Sequence, residues 1–229
     1  MHIIFFCVLF CALFLCNYSL TVFTERLTGI HSEGGMPSEL FIMMGLQNSE
    51  LGPGWWNGYH ELIFLSNNFD VEDSREDARK NIEKEAEKMR ADPLYGAEFF
   101  LKKTVSQWCE PTYESLWIQQ QRKGAGDMPD LVDRLINGGG RLSEAYIFYC
   151  NLLQSFLYFG TLLFVIFHWK TISSGELLIP VIFIGGFLFH TFWEAKGQYT
   201  LPYCAILLPY CIHGYENFAE TLTRKYREV

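Results

Sequence analysis

The sequence predicts a mainly α-helical membrane protein, with four transmembrane helices and a small, mostly helical extracytoplasmic domain between the first and the second. Three observations predict it. Apolar stretches run at 3–23, 145–167, 177–193 and 199–214. Charge is segregated: 21 of the 26 acidic and 13 of the 18 basic residues lie between Thr24 and Glu144, which therefore carries the whole net charge of −8. A hydrophobic content of 49%, rich in Phe, coexists with an ordinary 19% of charged residues, as expected when polar and apolar residues occupy different stretches. The expected organisation is a transmembrane helix at 1–23, an extracytoplasmic domain at 24–144, a three-helix transmembrane region at 145–214 and a cytoplasmic tail at 215–229.

The first stretch, Ile3 to Phe23, has the length of a membrane helix. Only Met1 and His2 precede it and no small-residue cleavage motif is clear near Phe23, so an uncleaved helix is expected rather than a signal peptide. In the polar middle, Leu40 to Gly45 is a short apolar run with the length of a strand, and Gly52-Pro53-Gly54 breaks the chain. Asp73 to Arg90 reads as a helix, with Ala78, Ile82, Ala86 and Met89 as a thin stripe and Ser74 and Asp77 as a capping box. Asp92-Pro93 starts the next helix, Asp as cap and Pro in the first turn. Leu94, Ala97, Leu101, Val105 and Trp108 line one side of it, and Pro111 stops it. A polar loop covers Gln119 to Gly126. A short helix is expected from Pro129 to Asn137, closed by Gly138.

The second span, Ala145 to Phe167, is long enough outright. The third, Leu177 to Trp193, and the fourth, Tyr199 to Gly214, are short and contain Pro180, Pro202 and Pro209. They read as a tightly connected pair whose freed backbone groups are satisfied by neighbouring helices. Arg224, Lys225 and Arg227 place the C-terminal tail in the cytoplasm. Counting back over four spans puts the N-terminus inside, and the acidic middle and the Glu194/Lys196 elbow outside. Trp169 and Trp193 fall at span ends, where an aromatic belt lies. The expected location is a cell membrane, crossed several times, with both termini cytoplasmic.

No basic footprint exists, so nucleic-acid binding is excluded. Six of the seven cysteines lie in apolar runs and none has a CxxC partner, so neither a disulfide framework nor a zinc site is expected. The six histidines show no ligand spacing, and no metal or cofactor is expected. Gly138-Gly139-Gly140 lacks the strand and the Lys-Ser/Thr of a phosphate loop and reads as a joint. Asp70-Val71-Glu72-Asp73 is a carboxylate cluster that suits a helix N-terminus, and the mixed charges from Glu72 to Arg90 suit a solvated face.

Three features stand out as candidate chemistry. His190 is ionisable within an apolar span, which marks function or simply reach toward the surface. Trp55, Trp56 and Tyr59, set among glycines, can stack on sugar rings, dip into the membrane interface or form the core of a small domain. Glu194 and Lys196 either present a phosphate-binding charge at the outer surface or cap a tight loop and snorkel.

Met44-Gly45-Leu46-Gln47, Pro53 to Tyr59, Asp92 to Tyr95, Lys102 to Trp108, Glu110-Pro111-Thr112 and Phe189 to Pro202 together resemble outer-loop and hairpin motifs of multi-pass membrane proteins. These are grouped with the dolichyl-phosphate-mannose-protein mannosyltransferase-like enzymes of the GT-C glycosyltransferase superfamily. The resemblance spans about 41–214. It implies transfer of a sugar from a polyprenyl-phosphate donor outside the membrane, with membrane lipids and that donor as partners. The catalytic carboxylate of such enzymes follows their first membrane helix. Here Thr24-Glu25-Arg26-Leu27 do not match that motif and only four spans are present, so no catalytic residue is assigned. The chain looks like the C-terminal part of such an enzyme: a fragment, a split subunit or an inactive copy, with an N-terminal portion missing or a partner subunit supplying it. By their chemistry and position, Lys196 is expected to hold the lipid phosphate and Glu194 to orient it, with Trp55, Trp56 and Tyr59 bordering the sugar and His190 among the substrate-binding residues. The alternative is a non-catalytic membrane accessory or sensor protein with an acidic extracytoplasmic binding domain.

Overall fold

A computed structural model describes residues 2–29, 35–116, 129–136, 140–168 and 170–227. The expected loop 119–126, the cap Gly138, most of the triple-glycine joint and Trp169 lie outside the described residues. The chain is mainly helical, 78%, and no strand occurs among the described residues. The helices are α1 (His2–Thr28), α2 (Ser38–Gly45), α3 (Tyr59–Ser66), α4 (Val71–Ala91), α5 (Pro93–Trp108), α6 (Asp130–Ile136), α7 (Arg141–His168), α8 (Leu178–Phe192), a 3-10 turn (Gly197–Thr200) and α9 (Leu201–Arg227). They divide into two units: Met1–Met43 with Gly58–Lys84, and Met44–Asn57 with Glu85–Val229.

In the first unit the described side chains of α1 are nearly all exposed although most are apolar, Phe10, Phe14 and Phe23 among them. A small core joins Leu40 and Met43 of α2, Ile63 of α3 and Ala78 of α4. The run at 40–45 is therefore helical, not a strand. The reason is visible in its spacing: Leu40, Met43 and Met44, all fully buried, fall at i, i+3 and i+4 instead of alternating. The charged helix α4 starts earlier than expected. Asp70 caps it, accepting from the Asp73 amide at 2.8 Å, so part of the carboxylate cluster serves a helix end. The Ser74/Asp77 capping box does not form. Ser74 donates to the Asp70 carbonyl at 2.5 Å, and Asp77 accepts from Asn67 at 3.1 Å. The stripe Ala78, Ile82, Ala86 and Met89 is the less exposed side of α4, as its periodicity predicts.

In the second unit Asp92 caps α5 through the Tyr95 amide at 3.1 Å, with Pro93 in the first turn. Its predicted apolar stripe is the exposed side. Leu94, Leu101 and Val105 are 79%, 65% and 50% exposed, and only Trp108 is buried. The buried line is Gly96, Phe99, Lys103 and Gln107, because α5 docks largely through polar contacts to backbone carbonyls.

α7 and α9 cross at glycines. A methyl group on Gly214 would lie 1.9 Å from the Gly160 carbonyl oxygen, and one on Gly160 would lie 2.6 Å from Cys211 Sγ. Gly186 of α8 gives the same clearance to the Tyr203 ring of α9. Small residues at helix crossings are the packing mode of helices in lipid. Pro180 and Pro202 fall in the first turns of α8 and α9, where no intrahelical donor is lost, and only Pro209 lies inside a helix. The expected fourth span continues as helix well past Gly214.

Among the described residues one helix, α7, is long and apolar enough to cross a membrane, and only 28% of its most apolar window is buried. A helix in the core of a soluble protein would be mostly buried. The shorter apolar helix α8 has fifteen residues. Between α7, α8 and α9 lies a cavity of about 480 Å³, lined among others by Tyr158, Thr161, Phe183, Leu207 and Tyr210. Its hydroxyls are all engaged elsewhere: Tyr158 on the Trp108 carbonyl, Thr161 on that of Leu157, Tyr210 on that of Glu176. The wall is thus effectively carbon.

Gly214→Leu should break the α7–α9 crossing. Overpacking costs about 1–3 kcal/mol, a fall in Tm of roughly 2–12 °C for a chain of this size. Gly175→Ala, where the added group meets nothing, should leave the melting of the detergent-solubilised protein unchanged.

Candidate site at the hairpin elbow

The connection between α8 and α9 is a built structure. Trp193 leaves the helix in an extended conformation, and Ala195 pairs in parallel with Trp55, its amide donating to the Gly54 carbonyl at 2.7 Å. The 3-10 turn then starts α9, with Thr200, fully buried, donating to the Gly197 carbonyl at 2.8 Å.

Lys103 holds this elbow from beneath. Its side chain is 1% exposed, and its Nζ donates to the carbonyls of Gly45 (2.5 Å), Thr191 (3.0 Å) and Trp193 (2.7 Å). These belong to the C-terminal ends of α2 and α8, where carbonyls lack helical partners and the helix dipole is negative. Burial pushes the lysine down to about 7. The three carbonyls oppose that shift, and only the ammonium form carries three N–H groups to give. Gly54, at φ 75°, closes over the lysine: a methyl group there would lie 2.6 Å from Lys103 Cε and 2.7 Å from the Gly45 oxygen.

Two glutamates preceding the hairpin hold it from the side. Glu110 accepts from the amide and hydroxyl of Thr112 and, at 2.6 Å, from the amide of Glu114. Glu114, 3% exposed, accepts in turn from the Gly197 amide. Burial pushes the Glu114 carboxyl above the usual range, and the elbow amides and the Lys196 charge pull it back. Tyr113 and Glu114 both have positive φ, 51° and 63°, a strained pair held by these bonds.

The residues expected to act are placed as follows. Glu194 is 6% exposed, and its carboxylate meets the Tyr199 hydroxyl at a long 3.5 Å. His190 is 7% exposed and stacks on Tyr199 at 5.6 Å; its Nδ1 finds no partner among the described residues. Lys196 is half-buried, with Nζ 5.7 Å from the centre of the same Tyr199 ring. Tyr199 thus brings these three together. Trp55 is 3% exposed and gives its indole N–H to Ser106 Oγ at 2.8 Å, so it offers little surface to a ligand. Trp56 is half exposed. Tyr59 belongs to the first unit.

Sequence reasoning missed Lys103, Gln107, Glu110 and Glu114. A signal existed: Gly96, Phe99, Lys103 and Gln107 repeat at helical spacing opposite the apolar stripe, and a polar line at core spacing is unusual enough to mark a docking face. Chemically the elbow offers an ammonium at its rim and, inside, a buried carboxylate and imidazole with bonding capacity to spare. That set suits an anionic group carrying hydroxyls. Among the described residues no three His, Cys, Asp or Glu side chains converge to hold a metal ion. Comparison with known proteins finds no matching family model, no matching curated protein and no matching solved structure.

Lys103→Met should leave three carbonyls without their donor. At about 1 kcal/mol or more for each buried group, the loss is about 3 kcal/mol, a fall of roughly 6–12 °C in Tm. Thermal unfolding followed by tryptophan fluorescence checks this.

Proposed function

We propose that this chain is the C-terminal, donor-binding portion of a membrane glycosyltransferase that uses a polyprenyl-phosphate-linked sugar. The observation that carries the reading is the set Glu194, Lys196, His190 and Tyr199 at one elbow between two apolar helices. Of the segments that carry the resemblance to GT-C enzymes, 44–47, 102–108 and 189–202 are bonded around it through Lys103, Trp55 of 53–59 bonds Ser106, and Gly54 bonds Ala195. In this reading α1, α7, α8 and α9 cross the membrane, both termini are cytoplasmic, and residues 24–144 and the elbow face outside. Exposed Val181, Ile184 and Leu188 on α8 and Phe148, Phe156 and Val165 on α7 then meet lipid.

Lys196 serves as a point charge for the lipid phosphate, and Glu194 accepts hydroxyl hydrogens of the sugar. His190 adds a second acceptor or donor on the same side. The carbon-lined cavity between the helices accommodates part of an apolar chain. Trp56 borders the head group from the exposed loop. No general base is assigned, because no carboxylate after α1 matches the family's acidic motif. That mismatch favours the second reading, a non-catalytic accessory or sensor protein.

The test is binding of a polyprenyl-phosphate sugar to the purified chain in nanodiscs. Tight binding by the wild type, weakened about tenfold or more by Lys196→Ala through loss of a charge-assisted hydrogen bond, supports donor binding. Equal binding by the variant removes Lys196 from the site, and no binding by either favours the accessory reading. Reaction of Lys196→Cys, in a Cys109→Ser background, with a membrane-impermeant maleimide in whole cells places the elbow outside, and absence of reaction there with reaction after permeabilisation places it inside.

A further inference from the structure

The elbow is short of positive charge. Three carboxylates stand at it, those of Glu110, Glu114 and Glu194, against the ammonium groups of Lys103 and Lys196. Backbone amides answer two of the three: Glu110 takes those of Thr112 and Glu114, and Glu114 takes that of Gly197. Lys103 is fully engaged, with its Nζ on three carbonyls. The Lys196 ammonium is close enough to Glu114 to offset part of what burial does to that carboxyl.

Glu194 is left over. It is 6% exposed, and its only hydrogen bond among the described residues is the 3.5 Å one from the Tyr199 hydroxyl. No basic side chain among the described residues forms an ion pair with it. A buried carboxylate without a cation is costly, and proteins rarely leave one so. His190 repeats the pattern: it is buried, and its Nδ1 has no partner among the described residues. Its ring stacks at 5.6 Å on Tyr199, whose hydroxyl meets Glu194. Two buried polar groups with unused bonding capacity therefore flank one tyrosine, and the Lys196 Nζ lies 5.7 Å from the centre of that same ring.

We infer that the elbow takes a zwitterionic head group, a phosphate with a protonated amine close to it: the phosphate at Lys196, the ammonium at Glu194, and one further hydrogen bond at His190. It rests on the placing of a lipid phosphate at Lys196 proposed above.

An ammonium fits Glu194 better than the alternatives. A sugar hydroxyl would bring a hydrogen bond but no charge. A metal ion would need more ligands than converge here among the described residues. An ammonium brings the missing charge and three N–H groups, enough to serve a carboxylate and an imidazole together. Charge balance points the same way. A phosphate alone would add a negative charge beside a carboxylate that already lacks a partner, whereas an amine on the same ligand cancels it. A polyprenyl phosphate bearing an amino sugar and a phospholipid with an ethanolamine head group both carry this chemistry.

Native mass spectrometry of the full chain in detergent tests it with two pairs of lipids. One pair is polyprenyl-phosphate glucosamine and its N-acetylglucosamine counterpart; the other is phosphatidylethanolamine and its N-acetyl derivative. In at least one pair the free amine should bind about tenfold or more tightly, the effect of one charge-assisted hydrogen bond, and Glu194→Gln should abolish that preference. Preference within the first pair identifies the sugar donor as the source of the amine. Preference within the second, with neither sugar lipid bound, keeps the ammonium at Glu194 and overturns the donor reading. Tight but equal binding within both pairs overturns the ammonium at Glu194 and spares the donor reading, and no binding of any of the four overturns both. A preference that survives Glu194→Gln also removes the amine from Glu194. The wild-type comparison needs no variant, so it decides the matter even where Glu194→Gln fails to fold.

Discussion

An ammonium that gives all three protons to backbone carbonyls is the constraint around which the second unit is arranged. Lys103 reaches the ends of two helices far apart in sequence and joins them through the one set of groups every helix leaves unused. Burying this charge carries a desolvation cost that offsets much of the attraction, yet removing it alone strands three buried carbonyls. What it provides is geometry. The carbonyls it needs exist only when α8 ends at Phe192 and when Gly45 and Gly54 lie close enough to leave no room for a side chain. Those requirements fix where the elbow begins and hence where Glu194 and Lys196 stand.

The rest of the elbow is tied in the same currency of backbone groups. Gly54 receives the Ala195 amide, Glu114 the Gly197 amide, and the Trp108 carbonyl takes two side chains of α7. Apolar packing enters beneath, where Trp108 sits among Phe183, Phe187 and Tyr203. Farther along the helices, contact is made through glycines. The unit thus changes packing mode with position, from hydrogen-bonded near the elbow to close helix–helix approach away from it. A chain passing from water into lipid would change in this way, because the hydrophobic effect gathers side chains in the first and shape alone does so in the second.

Much of this was legible in the sequence. The apolar runs at 145–167 and 177–193 are helices, the charged elbow is a real hairpin turn, and Asp92-Pro93 starts a helix for the reason its chemistry suggests. The misses share a cause. The run at 40–45 has the length of a strand but the i, i+3, i+4 spacing of a helix face. The apolar line of α5, Leu94, Ala97, Leu101, Val105 and Trp108, is exposed except at Trp108, whereas periodicity arguments assume that burial means apolar partners. Where the partner is a helix terminus, the buried residue is Lys or Gln, and hydropathy points to the wrong side. The candidate residues Glu194, Lys196 and His190 were visible as charges in greasy surroundings. Tyr199, which links them, was not, since an aromatic residue in an aromatic-rich chain carries no signal by itself.

The separation of Lys103 from its acceptors orders how the elbow is assembled. The Gly45 carbonyl precedes it by 58 residues, while those of Thr191 and Trp193 follow it by 88 and 90. A nascent chain can therefore dock the lysine on α2 early, with one of three acceptors in place, and must wait for α8 to leave the ribosome before the clasp closes. Until then at least two of the ammonium's three N–H groups are left to water. Sealing the clasp and burying the lysine become one late event, coupled to formation of the last two helices.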